Sequence, residues 1–453
     1  MAMQLISDQA TPLKGRIEVP GDKSVSHRAL MIGAVAVGET RIEGLLEGED
    51  VLHTAAALRA LGAEIERDGD GVYRIHGTGI GGLRAPASVL DLGNSGTGAR
   101  LLIGLLASHP FTSHITGDAS LSARPMGRIT TPLKEMGARF VGQGGGCLPL
   151  AVIGAEAPIP ITYRLPVASA QVKSAILLAG LNTPGQTTVI EPQPTRDHSE
   201  IMMRYFGVDI AVEDIEGEDG ARAITVTGQP EIAGRHLHIA GDPSSAAFPA
   251  VAAALVPGSE ITLGHIGINP LRMGLYETLR EMGADLSVDA TDANAAGGEP
   301  TADITIRAGA LRGVDVPAAR APSMIDEYPI LAVAAACAEG TTTLRGLAEL
   351  RLKESDRIAA IAAGLKACGV KVTEDADSLV IVGAGGPPPG GGNVASLFDH
   401  RIAMAFLVLG MAASSPVSVD DGTAIATSFP GFVELMNGLG GRIHQPAGAE
   451  ARA

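Results

Sequence analysis

The stretch GDKSVSHRAL, from Gly21 to Leu30, opens an Ala-rich helical segment on a cluster of small polar and charged residues. Five later stretches do the same, roughly 75 residues apart: GNSGTGARLL from Gly93, SAQVKSAILL from Ser169, GDPSSAAFPA from Gly241, APSMIDEYPI from Ala321 and DHRIAMAFLV from Asp399. Each carries N-cap chemistry. A helix N-terminus presents unpaired N–H groups and about half a positive charge, so six brought to one place hold anions and point to a phosphorylated substrate.

A second mark has the same period. Helices end in glycine and turn into strands at Gly62, Gly137, Gly207, Gly283, Gly369 and Gly440, in contexts such as LRALGAEI and LREMGADL. Glycine there permits the positive φ that closes a helix. After Gly62, EIERDGDGVYRIHG alternates around Asp-Gly turns and reads as a hairpin. Thr/Val/Ile strands such as VGETRIEGL and PGSEITLGH follow the Ala-rich helices. Each unit is therefore strand, helix, strand, helix and hairpin, an α/β pattern whose period is too long for a short-repeat solenoid. Six units form two pseudo-symmetric domains of three. The similar loops Pro20-Gly21-Asp22 and Gly241-Asp242-Pro243 place a two-strand hinge near 20 and 241, giving residues 21–241 as one domain and 1–20 plus 242–453 as the other. Stretches 383–392 and 289–300 read as surface loops within hairpins.

At 453 residues the chain is too long for a single core. No apolar run reaches the ~18 residues of a membrane span, and the Ala-rich stretches from Ala246 and Tyr328 are broken by Pro249 and Pro329. No signal segment precedes Leu13, so we expect a cytoplasmic chain. Cys147, Cys337 and Cys368 lie far apart without a CxxC, which indicates neither disulfides nor zinc. A net charge of −16 argues against nucleic acid or an anionic membrane as partner. A small anion can still bind where cations gather, and the helix starts supply Lys23, Arg28, Arg100, Lys173 and Arg401.

Lys23, Ser24, Ser26, His27 and Arg28 crowd the first start. Ser24 and Arg28 share a helix face, so two cations and a hydroxyl can converge on one phosphate or carboxylate; a Ser-capped helix with solvated charges fits the spacing equally well. GNSGTGAR lets an anion approach backbone N–H groups but lacks the spacing of a nucleotide-binding loop, and also reads as a tight turn. Arg124 precedes Pro125, which biases it to an extended backbone suited to a side chain held out from a loop, or to a plain surface arginine. RLKESDRI from Arg351 gathers Lys353, Glu354 and Arg357, with Ser355 placed to cap the next helix; it is either a solvated charge run or an anion site with a carboxylate for proton transfer. Asp326 and Glu327 interrupt an apolar stretch, as a helix cap or as catalytic groups.

Taken together, GDKSVSHR, GNSGTGAR, SARPMGR, SAQVKSA, RLKESDR and DHRIAMAF resemble the 5-enolpyruvylshikimate-3-phosphate synthase family from about Leu13 to Gly441, and SMIDEYPILAVAAA and PTRDHSE are similar to its second bacterial class. The resemblance implies two inverse α/β domains, each of three βαβαββ units. It implies transfer of the enolpyruvyl group of phosphoenolpyruvate to the 5-hydroxyl of shikimate 3-phosphate, with release of phosphate, on the route to chorismate and aromatic amino acids. Carried over by motif, Lys23, Ser24, Arg28, Ser169, Gln171, Arg196, Asp326 and Lys353 would meet shikimate 3-phosphate, and Lys23, Gly96, Arg124, Gln171, Arg357 and Arg401 would meet phosphoenolpyruvate. Asp326, Glu354 and Lys23 would be the catalytic groups, with no metal and no organic cofactor. Ala170 and Thr427 stand where many first-class members have serine and lysine. Gly96 stands where tolerant second-class members carry alanine, which implies sensitivity to glyphosate.

Two other readings compete. The sister family acting on UDP-N-acetylglucosamine typically uses a loop cysteine, which SLSARPMG lacks. A non-catalytic anion-binding protein would not need carboxylates beside anionic ligands. We expect a monomer whose two domains close on the substrate.

Overall fold

The computed structural model describes residues 3–142, 144, 146–290 and 298–446. They form two compact units. One holds Gly21–Ile239 together with Gly298 and Glu299, and the other holds the remaining described residues.

Each unit contains three four-stranded sheets of one design. In the second repeat, Leu90–Asp91 and Thr112–Thr116 pair in parallel across the helix Gly96–Ala107, as a parallel pair requires. Leu150–Ile153 then adds antiparallel to Thr112–Thr116, and Arg139–Gly142 closes the sheet. The third repeat copies this with Thr162–Arg164, Gln186–Glu191, Arg222–Thr227 and Ile210–Asp214. The first repeat takes its parallel edge strand, His236–His238, from the far end of its own unit, beside Val37–Glu43. In the other unit Lys14–Ile17 plays that part beside Glu260–Gly267, and Leu5–Ser7 fills a central place in the last sheet between Val417–Val419 and Ile443–His444. The chain therefore passes from one unit to the other after Pro20 and again before Ala240.

The helices that follow the quoted starts are buried almost all round. Every residue of Tyr328–Cys337 and of His400–Ala412 is buried, and Lys23–Ala34 is buried from Val25 onward. Such helices need no amphipathic stripe, because other helices and sheets cover them on every side. Small residues let them approach: a Cβ on Gly104 would lie 2.6 Å from the Cα of Ala175 on the helix Ala170–Leu181. Each unit has its own apolar core. Among the described residues no helix is long and apolar enough to cross a membrane.

All six helix-ending glycines have positive φ, between 77° at Gly369 and 122° at Gly440. Asp22, Ser95, Ser169, Asp242 and Asp399 each cap their helix by accepting a backbone N–H. The fifth start differs. Ala321–Met324 is a separate short turn, and the buried helix begins only at Tyr328 with Pro329 in its first turn, where a missing N–H costs nothing.

Two loop expectations need correction. Stretch 383–392 does not close a hairpin; it leads from Ser378–Val382 in one sheet to Asn393–Val394 in the next. Stretch 289–300 does join two antiparallel strands, and residues 291–297 lie outside the described ones. Its end is not a surface loop, however, because Glu299 is buried and lies 2.6 Å from His198 Nδ1.

His27 ties three helices of its unit together. Its Nδ1 lies 2.9 Å from Thr54 Oγ1 and its Nε2 lies 3.4 Å from the hydroxyl of Ser95, which caps Gly96–Ala107. Burial, reinforced by the charges of Lys23 and Arg28, pushes its pKa down to about 3. The unfolded side chain is protonated below its ordinary 6.5, whereas the folded one resists protonation down to about 3. Stability present above pH 6.5 is thus lost as pH falls through that window, at roughly 1.4 kcal/mol per pH unit. Denaturation midpoints measured across the window should show His27→Gln flattening the slope, and an unchanged slope contradicts this role. Gly104→Ala should lower stability by about 1–3 kcal/mol, because a methyl there meets backbone rather than a movable side chain; a urea midpoint equal to wild type would refute the close contact.

Candidate functional site

In the Gly21–Ile239 unit, three helix N-termini are joined by hydrogen bonds. Lys23, at the first residue of its helix, reaches Asp50 with 3.0 Å between Nζ and Oδ2. Arg28, one turn later, donates through Nη1 to the carbonyl of Ser24, through Nε to Ser199 Oγ at 2.7 Å and through Nη2 to Ser174 Oγ at 2.8 Å. Burial lowers the Arg28 pKa to about 10, which still leaves the guanidinium charged, and Glu200, Asp22 and Glu299 offset part of that fall.

The second helix begins at Gly96, behind the Ser95 cap. A Cβ on Gly96 would meet Arg100 Nη1 at 2.9 Å and Arg124 Nη1 at 3.0 Å, so this glycine faces two guanidinium groups. Arg124 is not the plain surface arginine its loop position allows. It is 8% exposed and donates through Nη2 to Asn94 Oδ1 and Ser120 Oγ, both at 3.0 Å. Gln171, in the first turn of the third helix, links it to the second: its Oε1 accepts from Arg100 Nη1 at 3.2 Å, and its Nε2 donates to Thr97 Oγ1 at 3.0 Å. Ser169 caps the third helix and stays partly exposed, as do Ser24 and Arg196. Lys173, expected among the anion-binding cations, has no exposed surface and pairs with Glu191 and Glu200 instead.

The other unit holds a separate constellation. Asp326 Oδ1 accepts from Lys353 Nζ at 3.1 Å and from Arg357 Nη1 at 3.2 Å. Arg357 is 1% exposed and divides its guanidinium among three carboxylates: Asp399 at 2.7 Å from Nε, Glu354 at 2.6 Å from Nη2, and Asp326. Burial by itself would lower its pKa, but Asp399, Glu354 and Asp326 together raise it above the ordinary value. Arg401 Nη1 donates to the carbonyl of Asp326 at 3.3 Å and lies 3.8 Å from Glu327 Oε1.

Neither Asp326 nor Glu327 is a helix cap. Asp326 is held by cations, and Glu327, at the cap position of Tyr328–Cys337, makes no capping bond but accepts from the Ser244 hydroxyl. Ser355 does not cap the next helix; Asp356 does, while Ser355 donates to Asp399 Oδ2 at 3.0 Å. Sequence reasoning missed Asp50, Asn94, Thr97 and the double use of Asp399. Asp399 carried a signal, since an N-cap aspartate beside two cationic motifs has a second oxygen to offer; Asp50 carried none beyond its place at a helix start.

These placements set cations and helix N-termini beside carboxylates, an arrangement that can bind anions and move protons, and known proteins share it. The profile of EPSP synthase (3-phosphoshikimate 1-carboxyvinyltransferase) matches residues 7–436. The chain is 65% identical over 443 residues to the 3-phosphoshikimate 1-carboxyvinyltransferase of Paramagnetospirillum magneticum, covering 98% of both chains. It is 60% identical to the protein of that name in Rhodospirillum rubrum, covering 97% of both. Among solved structures, the EPSP synthase of Acinetobacter baumannii superposes with a TM-score of 0.85 at 46% identity, over 98% of this chain and 100% of that one. The enolpyruvyl transferase NikO of Streptomyces tendae shares the fold, with a TM-score of 0.74 at 21% identity over 98% of this chain and 99% of that one. With the profile and these relatives spanning nearly its whole length, the chain belongs to the EPSP synthase family.

Proposed function

We propose that this chain transfers the enolpyruvyl group of phosphoenolpyruvate to the 5-hydroxyl of shikimate 3-phosphate and releases inorganic phosphate, a step of the shikimate pathway to aromatic amino acids. The observation that carries this reading is the carboxylate of Asp326 gripped by Lys353 and Arg357. A protein that only bound anions gains nothing from a carboxylate there, whereas a reaction that must deprotonate a hydroxyl needs one. The sister reaction on UDP-N-acetylglucosamine is not favoured, since the relatives with high identity over the full length carry the shikimate name.

In this mechanism Ser24, Arg28, Ser169, Gln171, Arg196, Asp326 and Lys353 hold shikimate 3-phosphate. Gly96, Arg124, Gln171, Arg357 and Arg401 hold phosphoenolpyruvate, and Lys23 meets both. Offsetting the repulsion of two anions lets the reacting atoms approach. The 5-oxygen forms a bond to C2 of phosphoenolpyruvate as Asp326 takes the hydroxyl proton and Glu354, entering protonated, gives a proton to C3. The product is a tetrahedral ketal phosphate. Glu354 then recovers a proton from the new methyl group as the C2–O bond to phosphate breaks, the proton held by Asp326 passes to the departing phosphate, and Lys23 stabilises that phosphate as it leaves. All atoms balance without a cofactor. Both ligand sets lie in one chain, so we extend the reading to a monomer, and we place it in the cytoplasm with its small substrates.

Phosphate release from phosphoenolpyruvate should occur with shikimate 3-phosphate and not with UDP-N-acetylglucosamine; the reverse preference overturns the reading. Asp326→Ala should lower kcat by about 10²–10⁴-fold while weakening substrate binding far less, and undiminished turnover removes Asp326 from the mechanism. Glyphosate should inhibit the wild-type enzyme. Gly96→Ala, whose methyl presses on the tips of Arg100 and Arg124, should raise the inhibitory concentration by at least about tenfold more than it raises KM for phosphoenolpyruvate. Equal shifts in both would rule out Gly96 as the discriminating position.

A further inference from the structure

Lys173 stands on the helix that carries Ser169 and Gln171, but its side chain turns inward and has no exposed surface. Its Nζ lies 2.7 Å from Glu200 Oε1, 3.0 Å from Glu191 Oε2 and 3.2 Å from the carbonyl of Thr195. These partners come from three places: the end of the strand Gln186–Glu191, the connection that follows it, and the first turn of the helix His198–Tyr205. Thr195 is fixed a second time, because its N–H and hydroxyl both donate to Glu191 Oε2, at 3.2 and 2.6 Å. The next residue is Arg196.

The same hub reaches Arg28. Ser199, beside Glu200, accepts from Arg28 Nε and donates to Ser174 Oγ at 2.8 Å, and Ser174 adjoins Lys173 and accepts from Arg28 Nη2. Charge couples them further: Glu200, whose pKa burial raises, is the largest contribution opposing the fall in the Arg28 pKa. One ammonium against two carboxylates leaves a buried negative charge that the Arg28 guanidinium balances. A buried ionic cluster of this kind adds little net stability compared with apolar residues of similar volume, because desolvation consumes the Coulomb gain. What it supplies is a fixed geometry, with both arginines referenced to one point.

We propose that Lys173 is a positioning residue for the phosphate of shikimate 3-phosphate, holding Arg196 through Thr195 and Glu191 and holding Arg28 through Glu200 and Ser199. This rests on the assignment of shikimate 3-phosphate as substrate and of both arginines as its ligands. Lys173 itself, with no exposed surface, never touches the ligand, and its bonds run to Glu191, Glu200 and Thr195 rather than to Gly96, Arg124, Arg357 or Arg401. A small displacement of either guanidinium weakens a two-point grip on phosphate out of proportion to the movement.

The test uses two variants of the full chain. Thr195→Val removes one hydroxyl bond and keeps the shape; Lys173→Met with Glu200→Gln removes one charge of each sign. Calorimetric titration with shikimate 3-phosphate alone, steady-state KM for each substrate and a urea midpoint are measured for both and for wild type. We expect KM and Kd for shikimate 3-phosphate to rise about tenfold or more, with KM for phosphoenolpyruvate and kcat within about twofold of wild type. Rescue by Lys173→Arg, which keeps the cation, should be partial. Wild-type affinity in a folded double variant, or equal loss towards both substrates, overturns the positioning role. Should the double variant not fold, Thr195→Val alone decides it by the same split. Failure of the wild-type protein to bind shikimate 3-phosphate overturns the assigned function instead, which separates the two ideas.

Discussion

Burial of whole helices is the constraint on which the rest depends. A helix such as Tyr328–Cys337 or His400–Ala412, covered on all sides, must be built from small and apolar residues, and its neighbours must come close enough to leave no void. Gly104 against Ala175 is that approach at its limit. Once three such helices pack within a unit, their N-termini meet as a by-product, and the unpaired N–H groups and charged side chains there have to be satisfied. Ser95, Asp22 and Asp399 do this as caps, and the uncharged His27 does it by bridging Thr54 and Ser95. The anion-binding role proposed for these starts would thus exploit what packing already requires.

The same burial governs the charges. A guanidinium or ammonium withdrawn from water requires carboxylates near it, since leaving one buried charge unpaired costs on the order of 3–5 kcal/mol. Arg357 meets this with Asp399, Asp326 and Glu354, and Lys173 meets it with Glu191 and Glu200. In both cases residues far apart in sequence become fixed relative to one another.

Much of this was legible because it is written locally. Six glycines after Ala-rich or amphipathic helices announced positive φ, and caps at Asp22, Ser95, Ser169, Asp242 and Asp399 announced helix starts. The fifth start, quoted from Ala321, differs because its buried helix begins only at Tyr328, where Pro329 falls in the first turn and marks a beginning. Ser355 and Asp356 are equally good caps by type, and only the position of Asp399 decides between them. Lys173 shows the limit most clearly. Its motif places it beside ligand-like residues, but its direction depends on Glu191 and Glu200, and nothing in the spacing of 173, 191 and 200 reveals that they meet. Residue identity at the candidate site is local information, whereas pairing is not.

The two constellations differ in what their cations hold, and the difference fits the chemistry proposed for each. In the Gly21–Ile239 unit, the bonds described for Arg28, Arg100 and Arg124 run to serine hydroxyls, amide oxygens and a backbone carbonyl. Such dipoles fix the direction of a guanidinium towards a phosphate dianion, while carboxylates of the same unit also act, Asp50 on Lys23 and Glu200 on Arg28. In the other unit, Lys353 and Arg357 are bonded to carboxylates, and Arg401 lies against the Asp326 carbonyl and Glu327. Cations engaged that way also hold Asp326 and Glu354 in place. An enzyme joining two anions needs both kinds of bond: hydroxyls, amides and carbonyls that aim guanidinium groups at the substrates, and carboxylate pairs that keep acid and base where protons must move.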